Sequence, residues 1–121
     1  MAFSQDIIGK WKTDTGTAIV EVYKKGDSYN AKIVWLAKPT DPDGSPAKDG
    51  NNPDPKLKSR SLMGLNLLYG LKPKGDRYEG GTIYDPANGK TYKCSMFLQD
   101  GVLKVRGHLG PFYRTMDWIK Q

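Results

Sequence analysis

"KTYKCSMFLQDGVLKVRGHL", Lys90 to Leu109, decides the kind of fold this chain makes. Tyr92, Cys94, Met96 and Leu98 recur at every second position, with Lys93 on the opposite side. After "QDG", Leu103, Val105, Gly107 and Leu109 do the same, with Lys104 and Arg106 opposite. A period of two is that of a strand with one buried and one wet face. A short Gly-containing break between two such runs makes them antiparallel neighbours.

Working outward, the same reading gives eight strands: Gly9 to Thr13, Thr17 to Lys24, Ser28 to Leu36, Leu65 to Leu71, Arg77 to Tyr84, Lys90 to Gln99, Val102 to Leu109 and Tyr113 to Lys120. In the third, Tyr29, Ala31, Ile33 and Trp35 share a side, opposite Lys32. The joints "TDTGT", "KKGDS", "KPKGD", "DPANGK" and "QDG" are rich in Gly, Asp and Asn, which accept the positive φ of tight turns. In "DPANGK" Pro86 presets one dihedral, Asp85 bonds the turn backbone and Asn88-Gly89 closes it, so turn chemistry explains Asp85 without a catalytic role.

Strands apolar on one face, with no long helix to cover them, must close on themselves or stack as two sheets. Gly70, Gly80-Gly81, Gly107 and Gly110, in or beside strands, permit the coiling that closure needs. The expected fold is all-β: an antiparallel up-and-down barrel of about eight strands, with a flattened sandwich as the alternative. At 121 residues the chain suits one domain, 1–121.

The net charge of +6 comes from lysines and arginines spread over several turns, and Asp41, Asp43, Asp49 and Asp54 precede Lys56, Lys58 and Arg60. That distribution reads as a solvating surface and gives no nucleic-acid groove. Cys94 is the single cysteine, which excludes an internal disulfide and a multi-cysteine metal site. No run approaches the roughly 18 apolar residues of a membrane-spanning helix. The lone His108 alternates onto the wet face with Arg106, so no catalytic triad forms. No spacing brings Glu79 and Asp117 together, and no phosphate-binding glycine loop precedes a helix. These features point away from an enzyme, and none calls for a cofactor.

The segment from Ala37 to Ser61 is far longer than the usual connection of about 4–6 residues. Asn52-Pro53 forces extension, Asp54 suits an N-cap, Pro55 the first helical position, and Lys58 and Arg60 the C-terminal end, with Gly64 as a cap. This spells a short helix before the fourth strand, carrying Leu57, and acting as a plug or lid. Asp41, Asp43 and Asp49 lack the spacing and terminal Glu of a calcium loop and read as turn-forming acids, with no metal bound.

"IIGKWKT", "VEVYKKGDSYNAKIVWL", "NNPDPKLKSRSLMGL", "YEGGTIYDPANGKTYKC" and "LKVRGHLGPFYRTMDW" resemble, in order and over nearly the whole chain, the bacterial family called domain of unknown function 2147. That family resembles small calycin barrels of the lipocalin and avidin type and has no established activity. The resemblance implies a cleaved signal peptide, with Ala2-Phe3-Ser4 as its remnant within residues 1–5, and a periplasmic or secreted protein. It also implies closure by Trp11 of "GKW" beneath a basic side chain of the last strand, here Arg114. The chain departs from the family pattern at Lys58, usually Arg, and at Ser61, usually Pro; without that proline a helical turn could run on to Gly64.

A barrel mouth is a natural concave site. The expected function is non-enzymatic binding of a small apolar or amphiphilic molecule, with Tyr29, Trp35, Tyr69, Tyr92 and Met96 as the wall and Leu57 and Arg60 at the mouth. These bulky groups could instead fill the barrel, in which case the outer face or the plug would serve as an envelope interaction module for a protein or polymer.

Overall fold

The computed structural model describes residues 6–121; the expected signal remnant lies outside the described residues. Eight strands close into one antiparallel barrel in sequence order: β1 (Gly9–Lys12), β2 (Ala18–Lys25), β3 (Ser28–Leu36), β4 (Asn66–Lys74), β5 (Arg77–Asp85), β6 (Lys90–Gln99), β7 (Val102–Leu109) and β8 (Phe112–Lys120). Their bounds follow the alternation and turn chemistry of the sequence closely. Asp100 and Gly101, both at positive φ, turn β6 back onto β7, and the eight residues of β7 pair with β8 without a slip. Closure rests on a short seam: Trp11 opposes Lys120 and Lys12 opposes Ile119.

That register corrects the expected closure pair. Trp11 is buried, donates its indole N–H to the Ile7 carbonyl at 2.9 Å, and has the Lys120 ammonium 5.1 Å from its ring centroid. Arg114 lies six residues earlier on β8, about 20 Å along a strand, and pairs with Gly107 on the other side. Lysine closes this barrel.

The interior is packed toward the end where β1 begins. Ile7, Leu68, Leu71, Met96, Leu103 and Val105 are fully buried there, and Tyr29 meets Tyr78 edge to face at 5.0 Å. At the other end the inward positions include Ala18 and Gly107, and space remains.

Strict alternation fails in β3 and β4. Ile19 opposes Trp35 while Val20 opposes Ile33, so Val34 is an extra residue, a bulge that exchanges the faces beyond it. Trp35 is thereby turned outward, 40% exposed beneath the Lys12 ammonium, and Leu36 takes the inward place. In β4 the pairings of Leu71 with Tyr29 and Leu68 with Ala31 accommodate a second bulge, with Gly70 at φ 75°. Leu68 then faces Ile83 inside, and Tyr69 stands outside opposite Thr82.

The segment between β3 and β4 contains no helix. Residues 54–60 form consecutive turns, in which the amide of Leu57 bonds the Asp54 carbonyl and that of Arg60 bonds the Leu57 carbonyl. These are i to i+3 bonds, and a flanking bridge stops them from propagating. Lys48 pairs with Ser61, and the Leu62 amide bonds the Ala47 carbonyl at 3.0 Å, so Ser61 lies in an extended ribbon where a helix cannot continue.

Candidate functional site

The unfilled end of the barrel holds a cavity of about 600 Å³. Its wall is apolar: Ile33, Leu36, Leu67, Ile83, Met116 and Trp118 project into it from the strands, and Leu62 reaches in from the long loop. Tyr92 stands beside Gly107 on the cavity wall. Charged and polar groups collect at the rim, among them Arg114, Lys48, Asp14, Asp85 and Asn88. An apolar well with a few polar groups at one end suits a molecule with an apolar body and a polar head.

The loop that covers part of this mouth is fastened by one buried carboxylate. Asp49 is 1% exposed and accepts three hydrogen bonds: from the Tyr84 hydroxyl at 2.6 Å, the Asn52 amide at 2.9 Å and the Arg60 Nε at 2.9 Å. Burial pushes its carboxyl upward, but the donors of Tyr84, Asn52 and Arg60 outweigh this and hold it below the ordinary value. The Tyr84 hydroxyl, desolvated and bonded to that carboxylate, is pushed up to about 12. The guanidinium of Arg60 also lies 5.4 Å from the Tyr84 ring centroid. A second fastening joins the loop to the β5–β6 turn, where the Asn51 amide donates to the Pro86 and Ala87 carbonyls at 3.1 Å each.

Of the wall residues expected from sequence, Tyr92 lines the cavity. Met96 and Tyr29 are buried in the packed half, and Trp35 and Tyr69 point outward. Arg60 is at the mouth as a fastener of the loop, whereas Leu57 is exposed at the tip of the turns, and neither lines the cavity. Arg114, expected at the closure, lines it instead. Asp49 reads from sequence as a turn acid, but its side chain is the buried centre of the loop. Nothing in its local sequence separates it from Asp41 or Asp43, since Arg60 and Tyr84, which fix its role, lie 11 and 35 positions away. Extending the alternation of the last strand is the signal that finds Trp118 and Met116.

The model of the family described as "Uncharacterized protein conserved in bacteria" (DUF2147) matches residues 9–120. Among solved structures, the chain is similar to protein HP1028 from the human pathogen Helicobacter pylori, described as belonging to the lipocalin family. The two are 26% identical, the match covers 96% of this chain and 83% of that one, and the TM-score is 0.79. No curated protein matches the chain.

Proposed function

The chain belongs to the DUF2147 family of uncharacterised bacterial proteins, and on that footing we propose that its lipocalin-like barrel is a non-enzymatic carrier of a small amphiphilic molecule. The observation that carries this reading is the cavity of about 600 Å³, lined by apolar side chains and ending at Arg114. An apolar chain would lie against Trp118, Met116 and Ile83, and a polar or acidic head would meet Arg114 and Lys48 at the rim. A periplasmic or secreted location, proposed from the family resemblance, would suit a carrier of poorly soluble cargo.

Native mass spectrometry of protein purified gently from its own organism, followed by extraction of anything bound, tests the reading. A reproducible adduct should vanish in Gly107→Leu. A Cβ at Gly107 meets Tyr92 at an ordinary 3.6 Å, so the larger side chain can project into the well without breaking the strand. An adduct that persists in a folded Gly107→Leu protein would place it elsewhere, and an empty protein under all growth conditions would sink the carrier reading.

A second reading, an interaction module, is favoured by the β7–β8 hairpin at the same mouth. There Leu109, Phe112 and Tyr113 are exposed, Phe112 by 77%. If Phe112→Ser abolished capture of an envelope component while leaving cargo in place, the module would be the better description.

A further inference from the structure

The outer wall of the barrel carries a second concavity, distinct from the cavity inside. Between β5 and β6 the register slips: Tyr78 opposes Met96 and Gly81 opposes Cys94, so β5 carries one residue more than β6 across this interval, within Glu79-Gly80. Gly80 is at φ 76°, and neither it nor Gly81 projects a side chain. Ser95, the small outward residue of β6 beside this break, leaves a depression of about 350 Å³.

Cationic and hydrogen-bonding groups surround this depression. Ser95 opposes Arg106, Lys93 opposes His108, and β5 contributes Arg77 and Glu79 to the same rim. The Ser95 hydroxyl and His108 Nε2 lie 3.1 Å apart. The cations Arg77, Lys93 and Arg106 therefore face one carboxylate, Glu79, and that carboxylate is 3.6 Å from the Lys74 ammonium. Among the described residues neither Arg77 nor Arg106 takes part in an ion pair.

The two guanidinium groups are also held in place. Both stack on Phe97, at 4.5 Å for Arg77 and 5.0 Å for Arg106, and Arg106 is further fixed by Tyr113 at 4.8 Å and by an Nε bond to the Thr115 hydroxyl at 3.3 Å. Stacking satisfies the face of a guanidinium and leaves its Nη donors available, including those of Arg106, whose Nε is taken by Thr115. Such a fork matches the oxygens of a phosphate group, and holding it in advance reduces the ordering cost of binding.

We propose that this outer depression between β5, β6 and β7 binds a phosphate group, with Arg77 and Arg106 as the forked donors and Ser95 as a third. The group could belong to a free phosphate compound or to a lipid headgroup, since the shared chemistry is the anionic phosphate.

The test is a heteronuclear NMR titration of the intact chain with inorganic phosphate, against chloride at equal ionic strength. Saturable shifts at the amides of Gly81, Ser95 and Arg106 are expected with phosphate only, weakened at least tenfold in Arg77→Ala/Arg106→Ala. Arg106→Lys, which keeps the charge without the fork, should fall between. Ser95→Ala provides a milder variant whose fold is not at risk. Vesicles containing phosphatidylglycerol separate the sources: co-sedimentation lost in the double variant identifies a headgroup site, and saturation by free phosphate without vesicle binding identifies a soluble ligand. Equal shifts with chloride, or saturation unchanged in the folded variants, would overturn the proposal.

Discussion

At the scale of single residues, Asp49 carries more than its neighbours because it is a buried charge with three donors. Asp49→Asn should cost about 1.5–3 kcal/mol, the range for hydrogen bonds to a charged group, measured by urea unfolding near neutral pH. The same group gives a pH dependence. Its folded carboxyl sits below the ordinary value, so its contribution is present above the unfolded pKa of about 3.9 and is lost as pH falls through the lowered folded value. The acid limb of the stability curve should therefore be shallower in Asp49→Asn than in the parent. Tyr84 acts at the other limb. Raised from 10.0 to about 12, it contributes fully below 10.0 and loses that contribution as pH rises through about 12, an effect absent in Tyr84→Phe. Cys94, buried and pushed up to about 12 by desolvation, should resist thiol reagents at about pH 8 until the barrel is unfolded.

At the scale of elements, β3 turns on one extra residue. Trp35 and Trp118 are both strand tryptophans, but the bulge at Val34 leaves the first 40% exposed while the second is 3% exposed and lines the cavity. Trp118→Ala should cost about 3–5 kcal/mol and Trp35→Ala no more than about 0.5, compared by denaturant midpoints at unchanged slope. Equal costs would mean that β3 has no bulge. This element also marks how far the sequence is legible. Strand existence, turn positions and the closed barrel follow from local alternation and turn residues, which are nearest-neighbour properties. A bulge leaves no such trace: Ile33 to Leu36 are all apolar and do not tell one face from the other, and only their pairing with β2 shows which residue is extra. Local pattern misplaces the wall residues Trp35 and Tyr69 for that reason, and misses Asp49 because two of its partners lie 11 and 35 positions away. The long loop reads as helical for a related reason, since local capping signals in residues 54–60 lose to the bridge between Lys48 and Ser61 on either side of them. The β5–β6 turn supplies the loop's other anchorage. Gly89 is at φ 72°, and a Cβ there would collide with the Asn51 carbonyl oxygen. Gly89→Ala should therefore strain the turn and lift the loop together, seen as faster amide exchange at Asn51 and Asn52 with the distal strands unchanged.

At the scale of the whole molecule, one end of the barrel is filled and the other is hollow, and the long loop belongs to the hollow end. Leu62 and Lys48 face the cavity from that loop, which is otherwise held by Asp49 and Asn51. An occupant would thus touch both the strand walls and the loop, and its binding free energy would be shared between them. At a free concentration about one hundred times its dissociation constant, a molecule that binds only the folded state raises stability by about 2.7 kcal/mol. The distribution of that gain is the informative quantity. Cargo in the cavity should slow amide exchange along residues 47–62 and in the β5–β6 turn, because opening the loop would break contacts with the cargo. In Gly107→Leu both the stabilisation and the loop protection should disappear together. Stabilisation that survives in that variant, or that leaves the loop exchanging at its former rate, would separate the binding event from the cavity and make the hollow end a packing feature of the barrel.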